Sequence, residues 1–295
     1  MRSLDGIEIG WAAQIACLFE VNADKPGNVS RHADFHDTRF EDFVASAVAI
    51  GPAFQDAARA TVGETVLRAV RDTRRFVRTN TNLGIVLLLA PLAKAACGEG
   101  SEGLRPKVAR VLGELTADDS GKVYTAIRLA APAGLGEVEQ YDVNEGTVDT
   151  TLRYAMELAQ DRDSVAREYV SDFEITFGLG YETLRRAWEE GRDFSDAIVH
   201  AFLTVLAQVP DTLIARKGGR AAAEAVSRRA GDVLAAGGSL SPRGREELVR
   251  FDRDLRDDSH RLNPGTTADL VAASIFVFLT EGGMLKGVSD LITRR

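Results

Sequence analysis

The sequence predicts an all-α fold, a single globular multi-helix domain spanning residues 1–295 with a polar pocket between helices. Three observations carry this. Apolar residues recur at three- and four-residue steps through most of the chain, period-two alternation is almost absent, and no Pro/Ser-rich linker or block of like charge divides it. No repeat of fixed period is apparent.

In chain order, Leu4 to Val21 reads as a helix because Ile7, Trp11, Ile15, Leu18 and Phe19 make one apolar face. A second helix is expected from Phe40 to Arg59, with Phe43, Val44, Ala47, Val48 and Phe54 inward and Pro52 as a kink. A third runs from Thr65 to Val77. Thr79-Asn80-Thr81-Asn82-Leu83-Gly84 then breaks the pattern before a helix from Ile85 to Cys97, and Gly98 to Gly103 is a flexible loop. Further helices fit Pro106–Leu115, Asp118–Ala130, Glu145–Gln160, Asp163–Phe177, Tyr181–Glu190, Phe194–Gln208, Ala221–Ala236 and Pro242–Arg256. The last begins in Asn263-Pro264-Gly265-Thr266-Thr267-Ala268-Asp269 and feeds Leu270 to Leu279. That run is apolar on nearly every side, so its helix should be buried.

Composition narrows the function classes. With 44 acidic against 36 basic side chains the net charge is −8, so nothing global draws the chain to nucleic acid or an anionic membrane. The longest apolar run, Leu83 to Ala93, is interrupted at Pro91 and falls short of the roughly 20 residues that span a bilayer. The acids near Met1 do not fit a secretory signal, and Cys17 and Cys97 lie apart in apolar surroundings. Both observations point to a cytoplasmic protein. The Gly98–Gly103 loop has no GKS/T ending and so is no P-loop, and Ser or Cys nucleophile signatures are absent.

Polar residues concentrate at five helix junctions. The richest is Asp24 to Asp37, which packs Lys25, Arg31, His32, His36, three acids and the Pro26-Gly27-Asn28 turn into fourteen positions. The others are Asn80 with Asn82, Tyr141 to Gly146 around Asp142, Pro210 to Gly219 with Asp211, Arg216, Lys217 and Gly218, and the Asn263–Asp269 stretch. Each residue also has a plainer reading as a helix cap: Asn80, Asn82, Asp142 and Asp211 at N-cap positions, and Thr266 with Asp269 at capping-box spacing. Read together, they suggest a pocket for a phosphate-bearing ligand. The amides that follow Gly265, with Thr266 and Thr267, suit phosphate at a helix start. Asp34, Asp37, Asp142, Asp211 and Asp269 supply hard oxygens for Mg²⁺, which carboxylates facing a triphosphate would require between them. His32 and His36 with Asp34 and Asp37 could instead be read as a zinc or iron site, but they lack the spacing of a helical zinc motif.

Lys25-Pro26-Gly27-Asn28-Val29, Phe43-Val44-Ala45-Ser46-Ala47, Asn82-Leu83-Gly84 and Asn263-Pro264-Gly265-Thr266-Thr267-Ala268-Asp269-Leu270 together resemble the triphosphoribosyl-dephospho-CoA synthase family, the CitG-like proteins. The resemblance runs from about Glu20 to Glu281, and it rests on the order and separation of motifs that are individually weak. It implies a cytoplasmic transferase that takes ATP and dephospho-CoA, displaces adenine, and makes a prosthetic-group precursor. Citrate-lyase members carry Asn-Thr-His-Lys-Gly where this chain has Asn80-Thr81-Asn82-Leu83-Gly84. The nearer likeness is to a shorter, archaeal-type branch found also in bacteria that use tetrahydromethanopterin.

For such chemistry Asp37 or Asp142 is the expected base, and His36 the donor to the leaving purine. Mg²⁺ is expected on Asp34, Asp211 or Asp269. The triphosphate is expected on Lys25, Gly27, Asn28, Arg31, Asn80, Asn82, Arg216, Lys217, Gly218, Asn263, Gly265, Thr266 and Thr267. Two other readings stand beside this one: an ATP-using step in one-carbon cofactor assembly, and a non-catalytic nucleotide-binding helical protein.

Overall fold

Two helices that are apolar on every side, and so cannot face water, organise the chain. They are Leu83–Ala96 and Gly265–Glu281. The structure, a computed structural model, describes residues 4–132, 143 and 148–281. Among these it is all-helical, as expected. In order come α1 (Gly6–Asn22), α2 (Phe40–Gln55), α3 (Val62–Thr73), α4 (Leu83–Ala96), α5 (Leu104–Gly113), α6 (Ala117–Ala130), α7 (Leu152–Ala159) and α8 (Ser164–Val170). A π-helical turn (Thr176–Tyr181), α9 (Glu182–Glu189), α10 (Phe194–Gln208), α11 (Thr212–Gly218), α12 (Arg220–Ala235), α13 (Pro242–Leu255) and α14 (Gly265–Glu281) follow. No single helix among them is long and apolar enough to cross a membrane.

Contacts group the chain into two compact units. The first takes in the chain up to Cys17 and Glu41–Phe173, and is built round α4, which packs on α3, α5 and α8. Its helix starts are firmly capped. Thr61 and Glu64 close a capping box on α3, and Thr116 and Asp119 close another on α6. Asp119 is buried and also accepts from the Gly63 amide at 2.8 Å, so one carboxylate terminates two helices. Burial alone would raise its pKa; the hydrogen bonds from Gly63 and Thr116 bring it below the usual aspartate value.

Two expectations fail in this unit. The packing face of α1 is not its large side chains: Ile7 and Trp11 are exposed, while Ile9, Ala12, Ala13 and Ala16 are buried. The reason is close approach to α2, where a Cβ at Gly6 would lie 2.2 Å from the Gln55 carbonyl oxygen. Small residues let the backbones meet, and Val48 of α2 is likewise left exposed. The expected helix Asp163–Phe177 is also broken. It ends at Val170, and Asp172 and Phe173 take left-handed φ values of 52° and 59°. Of the expected Glu145–Gln160 helix, the described part is helical only over Leu152–Ala159.

The second unit comprises Leu18–Phe40 and the chain from Glu174. Here α14 is the buried axis, packed on the π-helical turn, α9, α10 and α11. Gly180 permits the π turn to approach it, since a Cβ there would meet Ser274 Oγ at 2.0 Å. Phe194, Trp188 and Phe278 form an aromatic cluster with edge-to-face and tilted contacts.

Candidate functional site

In the second unit, the loop after α1 is clamped against the end of α13 and the approach to α14. Gly27 sits at φ 73°, and a Cβ there would lie within 3.0 Å of Leu255 and Pro264. Its amide donates to Asp252 Oδ1 (2.8 Å), and its carbonyl accepts from Asn263 Nδ2 (2.7 Å). Asn263 Nδ2 also donates to Asn28 Oδ1 (3.1 Å), whose own Nδ2 donates to Pro26 O (3.2 Å). Arg256 completes the clamp, with Nε on Asp252 Oδ2 (2.9 Å) and Nη2 on Asn28 O (2.8 Å). Gly27, Asn28 and Asn263, expected to contact phosphate, thus hold one another.

The clamp presents Phe35, His36 and Asp37 to a turn at Asp257–Arg261. Asp257 Oδ1 fastens this turn by accepting from the Ser259 amide and hydroxyl and from the Arg261 amide. His260 is held in it at a left-handed φ of 49°. Its Nε2 lies 2.9 Å from His36 Nδ1 and 3.6 Å from Asp37 Oδ1. One donor atom from each of the three residues falls within 4.8 Å of the others. The Phe35 ring stacks on His260 with centroids 3.9 Å apart, and Lys217 Nζ donates to the His260 carbonyl oxygen (3.2 Å). Burial lowers the His260 pKa, an effect that Asp37 opposes and His36 reinforces. Burial also pulls the Lys217 ammonium below its ordinary value.

Several expected ligands have structural duties instead. Lys25, expected to bind phosphate, is fully buried, pairs with Glu20 Oε1 (3.0 Å) and donates to Ala23 O (3.1 Å). A lysine so enclosed cannot reach a ligand. Asp211, expected to bind metal, is a second case. It too is buried, and both oxygens are engaged: Oδ1 with the Leu213 and Ile214 amides (2.9 and 3.0 Å), Oδ2 with the amide and hydroxyl of Thr267 (2.7 and 2.8 Å). Burial raises the pKa of this carboxyl, against the pull of the hydrogen bonds from Ile214 and Thr267 and of the Arg216 charge. It therefore caps α11 and the first turn of α14 together. Thr266 Oγ1 accepts from Thr212 Oγ1 (3.2 Å), and the Gly265 amide meets Asn263 O (2.9 Å). Much of the polar helix start read as a phosphate seat is therefore spent inside the protein. Asp34 Oδ1 accepts from the Phe40 amide (2.8 Å), a cap at the start of α2.

The remaining candidates are placed as follows. Arg31 and Arg216 are exposed, Gly218 closes α11, and Asp269 is half-buried just past the first turn of α14. His32 turns away to Asp24, 2.9 Å from Oδ2, and so is not part of the His36 cluster. Asn80 and Asn82 belong to the first unit. There Asn80 Oδ1 caps the Leu83 amide (3.1 Å), and buried Asn82 donates to Thr73 Oγ1 (3.2 Å). Asp142 lies outside the described residues. His260 is the residue that sequence reasoning missed. The signal available was the Asp257-Asp258-Ser259 turn chemistry just before Asn263-Pro264-Gly265.

Residues 7–287 match the model of a family, CitG, described as ATP:dephospho-CoA triphosphoribosyl transferase. A 2-(5''-triphosphoribosyl)-3'-dephosphocoenzyme-A synthase of Klebsiella pneumoniae is 27% identical over 304 residues, covering 97% of this chain and 95% of that one. A Pseudomonas fluorescens Pf-5 chain, provisionally given the same name, is 27% identical over 274 residues, covering 88% and 84%. The crystal structure of an Archaeoglobus fulgidus chain, provisionally titled triphosphoribosyl-dephospho-CoA synthase, superposes with a TM-score of 0.63 at 30% identity. That likeness covers 81% of this chain and 99% of the other.

Proposed function

Because the chain belongs to the CitG family and is a transferase of the triphosphoribosyl-dephospho-CoA synthase type, we propose that it moves the 5-triphosphoribosyl group of ATP onto a ribose hydroxyl of dephospho-CoA and releases adenine. The observation that supports this most directly is the convergence of Asp37, His36 and His260 beside Lys217. In the step, the bond from ribose C1′ to adenine N9 breaks and a bond from C1′ to the acceptor oxygen forms. Positive charge grows on the sugar meanwhile, and a carboxylate beside it lowers the barrier. We assign that place to Asp37, which also takes the proton of the attacking hydroxyl. The departing purine takes a proton from His36, which His260 orients through the 2.9 Å contact. Arg216 and Lys217 on the last turn of α11 would bind the triphosphate.

A magnesium ion fits this donor set in one way. Mg²⁺ prefers oxygen and commonly rests on one or two carboxylates together with substrate phosphates. Asp211 is buried with both oxygens spent on helix caps, and we propose the half-buried Asp269 near the start of α14 as the protein ligand. Bound there, the ion would neutralise triphosphate charge.

Chromatography of adenine released from ATP and Mg²⁺, with and without dephospho-CoA, tests the reading. Adenine should appear only with the acceptor, and Asp37→Asn should lower the rate by about 10²–10⁴-fold at an unchanged helical circular-dichroism signal. Full activity in that variant would remove Asp37 from the chemistry. Adenine release with a different acceptor would favour the one-carbon cofactor reading, which draws on Asn82 standing where citrate-lyase members carry histidine.

A further inference from the structure

We propose that His36, Asp37 and His260 bind one divalent transition-metal ion of the zinc class, and that this ion inhibits transfer by occupying the lone pairs that the reaction uses. The inference goes beyond the transfer reading, and its first half stands without it.

The donor set is the first argument. Two imidazoles and one carboxylate are borderline nitrogen and oxygen donors, which suit zinc, cobalt or iron and not the all-oxygen preference of magnesium. Spacing is the second. Zinc bonds of about 2.0–2.1 Å in tetrahedral geometry place neighbouring donors roughly 3.3 Å apart. The two separations of 2.9 and 3.6 Å fall either side of that figure, and the three donors all lie within 4.8 Å. Closing on an ion thus needs only side-chain adjustments of a few tenths of an ångström to about an ångström.

The third argument is the support behind the cluster. His260 is a non-glycine residue kept in the left-handed region, a conformation that costs free energy and persists only where its surroundings impose it. Here they do: Asp257 binds the turn on both sides of His260, Phe35 stacks on its ring, and Lys217 holds its carbonyl oxygen. Such outer contacts fix the direction of a metal-binding imidazole. The cluster also has an open side, for the His260 side chain is 15% exposed while that of Asp37 is 53% exposed and His36 is exposed. Three protein ligands with a position open to water or phosphate is an arrangement zinc adopts.

Competition follows from lone-pair counting. His36 Nδ1 and His260 Nε2 share one contact, and Asp37 Oδ1 faces the same His260 nitrogen. An ion seated among them leaves Asp37 less basic and breaks the contact through which His260 orients His36.

The test uses the full-length chain, stripped with a chelator and titrated with Co²⁺ for its visible absorption and with Zn²⁺ by calorimetry. One ion per chain should bind, with the strong absorption of low-coordinate cobalt. His260→Ala and His36→Ala should each weaken binding about tenfold or more, while His32→Ala, on the separate Asp24 pair, should leave it unchanged. Unaltered affinity in His260→Ala, or no saturable binding at about 1 mM ion, would overturn the site. Transfer assayed with Mg²⁺ should fall as Zn²⁺ occupancy rises and recover on chelation. Undiminished transfer at full occupancy would overturn the inhibitory half. A protein that binds Co²⁺ as described but releases no adenine with excess Mg²⁺ once the transition metal has been stripped would refute the transfer reading and leave the site standing.

Discussion

Replacing Asp211 by alanine separates a structural acid from a catalytic one. The carboxylate accepts four hydrogen bonds, two from the first turn of α11 and two from Thr267 on α14. Losing the α11 cap costs about 1 kcal/mol. The amide and hydroxyl of Thr267 are buried, and leaving them without an acceptor costs about 1–3 kcal/mol each. Against this stands the relief of no longer enclosing a charged group, which offsets part of the loss. The net expectation is about 3 kcal/mol of destabilisation, or roughly 6 °C in Tm at the ~2 °C per kcal/mol of a chain this size. Asp211→Asn keeps one acceptor oxygen but turns an NH₂ toward one of the two helices, so it should lose about half as much. Thermal and urea denaturation measure both, and the double variant Asp211→Ala with Thr267→Val should cost less than the sum of the singles, because they share a contact. An Asp211→Ala protein that melts within about 1 °C of the parent and yet has lost Mg²⁺-dependent transfer would refute this reasoning and restore the acid to the metal.

Three further outcomes rest on the same structure. Lys25→Met should destabilise by about 3–5 kcal/mol because it strands a buried Glu20, and adding Glu20→Gln should recover most of that; a variant that only raises the KM for ATP would return Lys25 to phosphate binding. Gly27→Ala should cost about 2–4 kcal/mol, from the left-handed backbone and from a Cβ within 3.0 Å of Leu255 and Pro264, as read from urea midpoints. Asp119→Asn should lower stability at pH 7 by about 1–3 kcal/mol. Since the folded pKa of Asp119 is depressed, its contribution is complete above the unfolded value of about 3.9 and is lost as pH falls through the folded value. The gap between parent and variant midpoints should therefore close below about pH 4, and a gap independent of pH would contradict the assignment.

Much of the fold could be read from the chain because burial on all sides leaves a strong mark. The α14 run was recognisable as a buried helix from residue type alone, and the expected span Phe194–Gln208 is α10 residue for residue. What failed did so where local pattern competes with close approach. The large side chains of α1 suggested one face, and the glycines that bring it against α2 selected another. Between α8 and the π turn, the helical spacing of Tyr169, Phe173 and Phe177 continues across the break at Asp172 and Phe173, and hydrophobic periodicity cannot register a left-handed backbone. In the site, His36 and Asp37 were legible because their loop is too rich in function-bearing residues to be a connector. His260 was not, since nothing local pairs a residue with another 224 positions away.

The polar junctions could be sorted only by asking where each lone pair and each N–H ends. Asp211, Asp34, Asn263 and Lys25 have the composition of a ligand site, but their polar groups meet other parts of the same unit. Their effect on chemistry is then indirect. Asn263, Asp252 and Arg256 fix the loop that carries Phe35, His36 and Asp37, and Asp257 fixes the turn that carries His260. A group acting on a reacting sugar must be placed to within a fraction of an ångström, and a loop is the least rigid place from which to do so. The density of hydrogen bonds behind these residues supplies the rigidity the loop lacks, which is why a chemical cluster on two loops is surrounded by so many polar residues whose partners lie inside the protein.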